Sequence, residues 1–353
     1  MNDATTVGLD LAKQHFSVCI LDAHGRIKSR HELKRPALAA FLQALPQHTV
    51  VAMEACSSAH YWGRLCLSFG LVPRLIAAQF VQPFRKSNAI KNDRNDAEAI
   101  ATAARQGNMR FVPIKSEAQQ ARLSWHRARE GYKKERVAIM NRIRGLLAEL
   151  GVTINRSAVA LSRALARLDE YALPVMMVTL IRQQEQHWQA IQANMDACEK
   201  QIKIHADQDE RCIRLRQLTG VGPLSADAIV ATIGNGSEFT NGRQCAAWLG
   251  LTPRQHGTGG KVTLGNITRR GDTYLRTLLI QGARSSVQQA RITPQEKLTY
   301  EQQWILQLGM RLPFGKVVVA IANKHARQIW AMLTRGEHYD SEAWQRHPVH
   351  NAI

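Results

Sequence analysis

Two short apolar runs that each end on an acid constrain the first third of this chain more than any other feature. Val7 to Asp10 and Thr49 to Glu54 each read as a buried strand that runs into a carboxylate. Between them, His15 to Leu21 alternates at Phe16, Val18 and Ile20. Asp22-Ala-His-Gly25 then reads as a hairpin turn, with Arg26 to Leu33 as the returning partner. Pro36 to Leu45 and Tyr61 to Gly70 have helical spacing, Leu71 to Ile76 is a third strand, and a helix is expected to begin after Asp93. Strand, hairpin, helix, strand, helix, strand predicts an α/β domain over residues 1–115.

Charge narrows the partner. The 353 residues carry 47 Lys and Arg against 28 Asp and Glu, a formal net charge of +19. An excess of that size favours a polyanion, either nucleic acid or an anionic membrane surface. No run of about 18 apolar residues offers a spanning helix, and the N-terminus lacks the pattern of a secretory signal. Nucleic acid is therefore the expected partner. Cys19, Cys56, Cys66, Cys198, Cys212 and Cys245 form no CxxC pair, which argues against zinc ribbons and fits a reducing, cytoplasmic setting.

The remaining chain reads as mainly helical. Ser116-Glu-Ala-Gln opens a long basic helix reaching about Leu150. From Arg105 to Arg144 there are eleven Lys or Arg and three acids, so a nucleic-acid-facing surface is expected there. Val159 to Ile204 is helical again. Its stripe of Ile181, Trp188, Ile191, Met195, Cys198 and Ile202 suits a coiled coil, used either between chains or as an intramolecular pair. Helices are also expected at Ser225 to Ile233, Phe239 to Leu249, Leu275 to Gln289 and Val317 to Leu333, with a frayed polar tail from about Glu337.

Three constellations can carry chemistry. Asp10 and Glu54 lie at strand ends, where α/β sheets build their sites. Asp93 and Asp96 are three apart, so a helix places both on one face. Four gathered carboxylates would repel and require a cation, and hard oxygen ligands select Mg²⁺ or Mn²⁺, the ions of phosphodiester chemistry. Lys13 follows Asp10 closely enough to touch a phosphate. Leu218-Thr-Gly-Val-Gly-Pro223 resembles a helix-hairpin-helix turn, where Gly220 and Gly222 would open the backbone to phosphate. The stretch Pro253 to Lys261 reads as a glycine-rich loop. There Gly259 and Gly260 permit close approach, His256 is a candidate base, Thr258 offers a hydroxyl, and Arg254 and Lys261 bracket it. Arg269, Arg270 and Arg276 extend the basic patch.

In combination these segments resemble the DEDD-type transposases of the insertion-sequence one-ten family. The resemblance rests on Val7-Gly-Leu-Asp-Leu-Ala-Lys13, Met53-Glu-Ala-Cys56, Lys91-Asn-Asp-Arg-Asn-Asp96, Leu218-Thr-Gly-Val-Gly-Pro223, Ala246-Ala-Trp-Leu-Gly-Leu-Thr-Pro-Arg254, Gly259-Gly-Lys261 and Arg269-Arg-Gly-Asp-Thr-Tyr-Leu-Arg276. The Gly-Gly-Lys form is most similar to one subgroup of that family. The resemblance implies an RNase H-like, resolvase-like N-terminal domain with Asp10, Glu54, Asp93 and Asp96 as its metal-binding set. It also implies a coiled-coil oligomerisation region at 116–210, a transposase domain at 211–336 with a nucleophile loop, and a tail at 337–353.

Further expectations follow from the same resemblance. Family members carry a nucleophilic serine in the loop after Thr-Pro-Arg, and here that position is occupied by Thr258, whose β-methyl crowds the hydroxyl. Ser285 and Ser286 are second choices. Characterised relatives use active sites formed between subunits of a tetramer, on DNA paired by a bridge RNA, so a dimer or tetramer acting on element-end and target DNA with such a guide is expected here. The expected protein is thus a cytoplasmic, nucleoid-associated DNA recombinase. The alternatives are a resolvase-like metal-dependent endonuclease and a non-catalytic nucleic-acid-binding protein.

Overall fold

In the computed structural model of the chain, residues 5–85 and 93–341 are described, the side chains of Asp93 and Arg94 excepted. The chain forms two compact units, Met1–Glu117 and Ala118–Ile353. No helix among the described residues is long and apolar enough to cross a membrane.

The first unit is built on β1 (Thr6–Asp10), β2 (His15–Leu21), β3 (Ile27–Lys34), α1 (Arg35–Gln43), β4 (Val50–Glu54), α2 (Ala59–Ser68), β5 (Val72–Ile76), α3 (Ala78–Val81), α4 (Asp93–Ala104) and β6 (Phe111–Val112). The sheet order is β3-β2-β1-β4-β5-β6. β1 and β2 pair antiparallel, as do β2 and β3, while β1, β4 and β5 run parallel. The β2–β3 turn follows from its residues: Asp22 Oδ1 accepts from the backbone of His24 and Arg26, and Gly25 takes φ +82°. α1 and α2 cover one face, around Phe16, Leu38, Leu42, Met53, Trp62 and Leu75. α4 lies on the other face against β1 and β2.

Gly8 sets the distance of α4 from the sheet. A Cβ there would lie 2.1 Å from the carbonyl oxygen of Ala97 and 2.7 Å from Ala101 Cβ. The Gly-Ala-Ala contact lets the helix backbone approach the central strand closely, and so fixes where the acids of its first turn lie.

The second unit contains α5 (Glu117–Ala148, its first residue belonging to the first unit), α6 (Ala158–Ala166), α7 (Val175–Gln208), α8 (Glu210–Leu215), α9 (Pro223–Ile233), α10 (Gly242–Trp248), β7 (Pro253–Thr258), β8 (Lys261–Ile267), α11 (Thr273–Ile292), α12 (Tyr300–Arg311) and α13 (Phe314–Arg335). Of the two uses open for the helical stripe, an intramolecular pair is present. α5 and α7 run antiparallel, with Arg129 bonded to Glu199, Arg136 to Gln192 and Arg142 to Gln184. Ile139, Ile143, Leu147, Leu161, Leu165, Ile181 and Ile191 fill the seam. The basic stretch is thereby partly turned inward. Arg122, Arg129 and Arg136 recur every seven residues; Arg129 and Arg136 reach α7, while Arg122 reaches Asp209 at its C-terminal end and Asp227 of α9. Arg127, Lys133 and Lys134 remain exposed.

Three sequence expectations need correction. The loop from His256 to Gly260 is a strand and turn: β7 and β8 form an antiparallel hairpin with Thr258 opposite Lys261. Gly259 and Gly260, at φ +58° and +79°, close it as a two-residue turn, a pairing that suits the twist of the strands. α12 lies where no helix was expected, opened by a reciprocal Thr299–Gln302 capping box. The start of the tail is held: Tyr339 Oη donates to Glu301 Oε2 at 2.7 Å, and His325 bonds the other oxygen of that buried carboxylate. Residues 342–353 lie outside the described residues.

Candidate active site

The register of β1 against β4 pairs Leu9 with Met53, which brings Asp10 and Glu54 to the same edge of adjacent parallel strands. Both are half-buried. Asp96, 8% exposed, comes from the first turn of α4. Arg85 joins two of these acids: its Nη2 donates to Glu54 Oε2 at 3.2 Å and its Nε lies 3.0 Å from Asp96 Oδ1. Cys56 sits at the rim. The residue is exposed, but partial desolvation of its sulfur, with the negative charges of Glu54 and Asp10, pushes its thiol pKa up. Asp93 begins α4, but its side chain lies outside the described residues, as do Lys91 and Asn92 of the same motif.

The donor chemistry here fits a hard divalent cation: oxygen-only carboxylates from two strand ends and a helix. Among the described residues, no three His, Cys, Asp or Glu side chains are closed to ligating distance. Glu98 is set apart from the cluster by its own ion pair with Arg30. Lys13, in the loop after β1, is exposed, and its carbonyl accepts from Arg35 Nε.

The basic hairpin forms a second group of candidates. Arg254, His256, Thr258, Gly259, Gly260 and Lys261 are all exposed. Alternation along β7 puts His256 and Thr258 on one face, and the cross-strand partner Lys261 shares it. Arg269 and Arg270 are exposed in the turn after β8, where Arg269 adopts φ +55°. That turn is tightly seated, since a Cβ at Gly250 would lie 2.2 Å from the Arg270 carbonyl oxygen and one at Gly271 would lie 1.8 Å from that of Trp248. Arg276 explains the seating. It is buried, and its Nη1 donates to the carbonyls of Leu249 and Arg270 at 3.0 Å each. Arg276 therefore faces inward and braces the Arg269–Arg270 turn.

The glycine turn before α9 is also explained from within. Gly220, at φ +86°, crosses Gly282 of α11 so closely that a Cβ on either would lie 2.3 or 2.2 Å from the other's carbonyl oxygen. Ser286 seals this crossing by donating to the Thr219 and Gly282 carbonyls, and it is buried, which removes it as an alternative nucleophile. A Cβ at Gly222, the N-cap of α9, would meet nothing within 4 Å, so its backbone faces open space.

One buried polar network in the second unit has almost no signature in the sequence. Asp227, fully buried, accepts from Arg122 Nε and from His126 Nε2 at 2.8 Å each. His126 Nδ1 lies 2.9 Å from Tyr274 Oη, and Arg122 also reaches Asp209, which Arg211 holds as well. Burial pushes both carboxylates up, but the hydrogen bonds outweigh it. Arg211 and Arg122 at Asp209, and His126 and Arg122 at Asp227, hold both below the ordinary range. Burial raises the Tyr274 phenol. The only sequence signal was an acid inside the otherwise apolar α9.

Comparison with known proteins bears on both halves of the chain. Residues 7–151 match a transposase profile of the DEDD type named for IS110, and residues 212–301 match the Transposase IS116/IS110/IS902 family. A probable family 20 transposase of Pseudomonas aeruginosa is 45% identical, covering 93% of this chain and 96% of its own. The transposase for insertion sequence element IS1328 of Yersinia enterocolitica is 35% identical, over 95% and 98% of the two chains. That for IS1111A of Coxiella burnetii is 36% identical, over 96% and 92%. With matches of this extent the chain belongs to the IS110 family of insertion-sequence transposases, enzymes that act on DNA.

Proposed function

We propose that this transposase cuts and rejoins DNA through two half-sites, a divalent-metal site in the first unit and a hydroxyl nucleophile in the second. The observation that carries the reading is the meeting of Asp10 and Glu54 on adjacent parallel strand ends, with Asp96 tied to Glu54 through Arg85. With Asp93, these residues would hold Mg²⁺ or Mn²⁺ in an RNase H-like domain. The bound ion would neutralise charge developing on the scissile phosphate.

Thr258 is the proposed nucleophile. Its Oγ1 attacks phosphorus, a Thr–O–P bond forms, and the P–O bond to the leaving sugar oxygen breaks. His256, on the same face, takes the hydroxyl proton, and the leaving oxygen is protonated in turn. One phosphoester replaces another, so rejoining by the reverse step needs no external energy source. Lys261, Arg254, Arg269 and Arg270, with Lys13 in the first unit, are proposed to hold phosphates, while Gly222 leaves its backbone open to one. Gly259 and Gly260 keep the hairpin tip narrow. Affinity for DNA should then fall steeply with salt. The family resemblance supports a dimer or tetramer with composite sites, and a bridge RNA that selects the DNA by pairing.

The test is a trap for covalent adducts. The chain, Mg²⁺, element-end DNA and the transcript flanking the element are combined, denatured and mapped by mass spectrometry. An adduct on Thr258 that Thr258→Ala abolishes supports the recombinase. Cleaved DNA without adduct, unaffected by Thr258→Ala and lost in Asp10→Asn, assigns the chemistry to metal-activated water and a resolvase-like endonuclease. DNA binding without cleavage, unchanged in Asp10→Asn, leaves only a binding protein.

A further inference from the structure

We propose that Arg85 is a built-in counter-ion of the acid cluster, which a divalent ion must displace in order to bind. The inference rests on the metal reading above. Arg85 spans carboxylates from two elements, Glu54 at the end of β4 and Asp96 in the first turn of α4, using separate nitrogens of one guanidinium. Among the described residues, Arg30 pairs with Glu98 and Arg26 with Asp22, both outside the cluster. Arg85 instead takes the oxygens that the metal would use.

The physics sets the competition. Two carboxylates on neighbouring elements repel unless a cation lies between them. Arg85 supplies that cation as part of the fold, so β4 and α4 can pack before any metal arrives. A divalent ion brings more charge to the same oxygens, but it and the guanidinium repel each other, so each lowers the affinity of the other. The arginine side chain is 33% exposed, so a route into solvent is open to it. Its backbone N–H is fixed to the Gln82 carbonyl, so the side chain can leave without the chain moving. Charge sets the competition, since Nη2 hydrogen-bonds Glu54 while Nε meets Asp96 only as an ion pair. A lysine keeps that charge.

The experiment titrates Mn²⁺ into the metal-stripped full chain, following free Mn²⁺ by electron paramagnetic resonance, with melting curves at each step. Wild type is compared with Arg85→Gln, Arg85→Lys and Asp96→Asn. Arg85→Gln is expected to tighten Mn²⁺ binding about tenfold, the sum of two modest ion pairs removed from the competition. Arg85→Lys, which keeps the charge, should stay close to wild type. Metal-free Arg85→Gln should melt below wild type, and Mn²⁺ should raise its midpoint more than it raises that of wild type. Equal or weaker Mn²⁺ binding in Arg85→Gln, with binding weakened in Asp96→Asn, would overturn the counter-ion role alone. Binding in Arg85→Lys as tight as in Arg85→Gln would also overturn it, because a retained positive charge would then not compete with the metal. No Mn²⁺ binding by wild type, or none lost in Asp96→Asn, would overturn the metal reading and this inference with it.

Discussion

The acids at the edge of the N-terminal sheet and the acids around Arg122 use the same side chains in opposite ways. Around Arg122, partners are supplied in full. Asp227 has Arg122 and His126, Asp209 has Arg122 and Arg211, and His126 is completed by Tyr274. At the sheet edge, among the described residues, Glu54 and Asp96 share the Arg85 guanidinium, beside Asp10 on the next strand. The first arrangement ties α5, α9 and α11 together and leaves little for a ligand. The second keeps carboxylates near water with a counter-charge that can be exchanged. Buried acids are thus better sorted by how completely the fold pairs them than by how buried they are.

The strongest way to break that comparison is to unpair the network. Asp227→Ala removes the fully buried acceptor shared by Arg122 and His126, leaving Arg122 with Asp209 and His126 with Tyr274. Removing one partner from a buried ionic group costs about 3–5 kcal/mol. The urea midpoint of the second unit should fall accordingly. Hydrogen exchange should speed up in peptides of α5, α9 and α11 while β1 and β4 keep their protection. A loss below about 1 kcal/mol, the range of an exposed pair, would mean that the network is not the scaffold described here.

Gly8→Ala is the next largest. The new methyl meets the Ala97 carbonyl, so α4 must move off the sheet, at about 1–3 kcal/mol for an overpacked contact. Because α4 carries Asp96, Mn²⁺ affinity should fall as well, whereas Asp227→Ala should leave it unchanged. Melting and Mn²⁺ titration of the two variants together separate the site from the scaffold. Unaltered Mn²⁺ affinity in folded Gly8→Ala would show that the position of α4 does not set the cluster.

These residues differed greatly in how visible they were to sequence reasoning. Asp10, Glu54 and Asp96 were legible because strand ends and helical spacing are local properties, and the strands themselves showed as short apolar runs. Arg85 was not legible, since nothing local says that a cation will bridge acids 31 residues before it and 11 residues after it. The heptad of Arg122, Arg129 and Arg136 is hidden within a basic run, which looks the same in sequence whether its partner is solvent, nucleic acid or a facing helix. Arg276 and Gly220 resemble phosphate ligands in sequence for the same reason: their partners, Leu249, Arg270 and Gly282, are brought to them by tertiary packing alone. The hairpin escaped because glycine, histidine and threonine in succession lack the apolar alternation of a half-buried strand, and both of its strands are exposed.

The smallest expected effect is the dependence of the second unit on acid, and its sign follows from the pairing. Asp209 and Asp227 are held below the ordinary carboxylate value of about 3.9 by guanidinium and imidazole hydrogen bonds that outweigh their burial. A carboxylate depressed in the folded state contributes stability that is fully present above its unfolded value and is lost as pH falls through its folded value. The second unit should therefore keep a level urea midpoint on these two groups' account from pH 7 to about pH 5, and lose stability only below about pH 4. Hydrogen exchange in α9 peptides across that range checks it. A midpoint already falling between pH 7 and pH 5 would mean that a different group governs the unit, and the complete pairing around Arg122 would no longer explain its stability. Mn²⁺ sharpens the contrast, because it should raise the melting of the first unit and leave the acid response of α9 where it was.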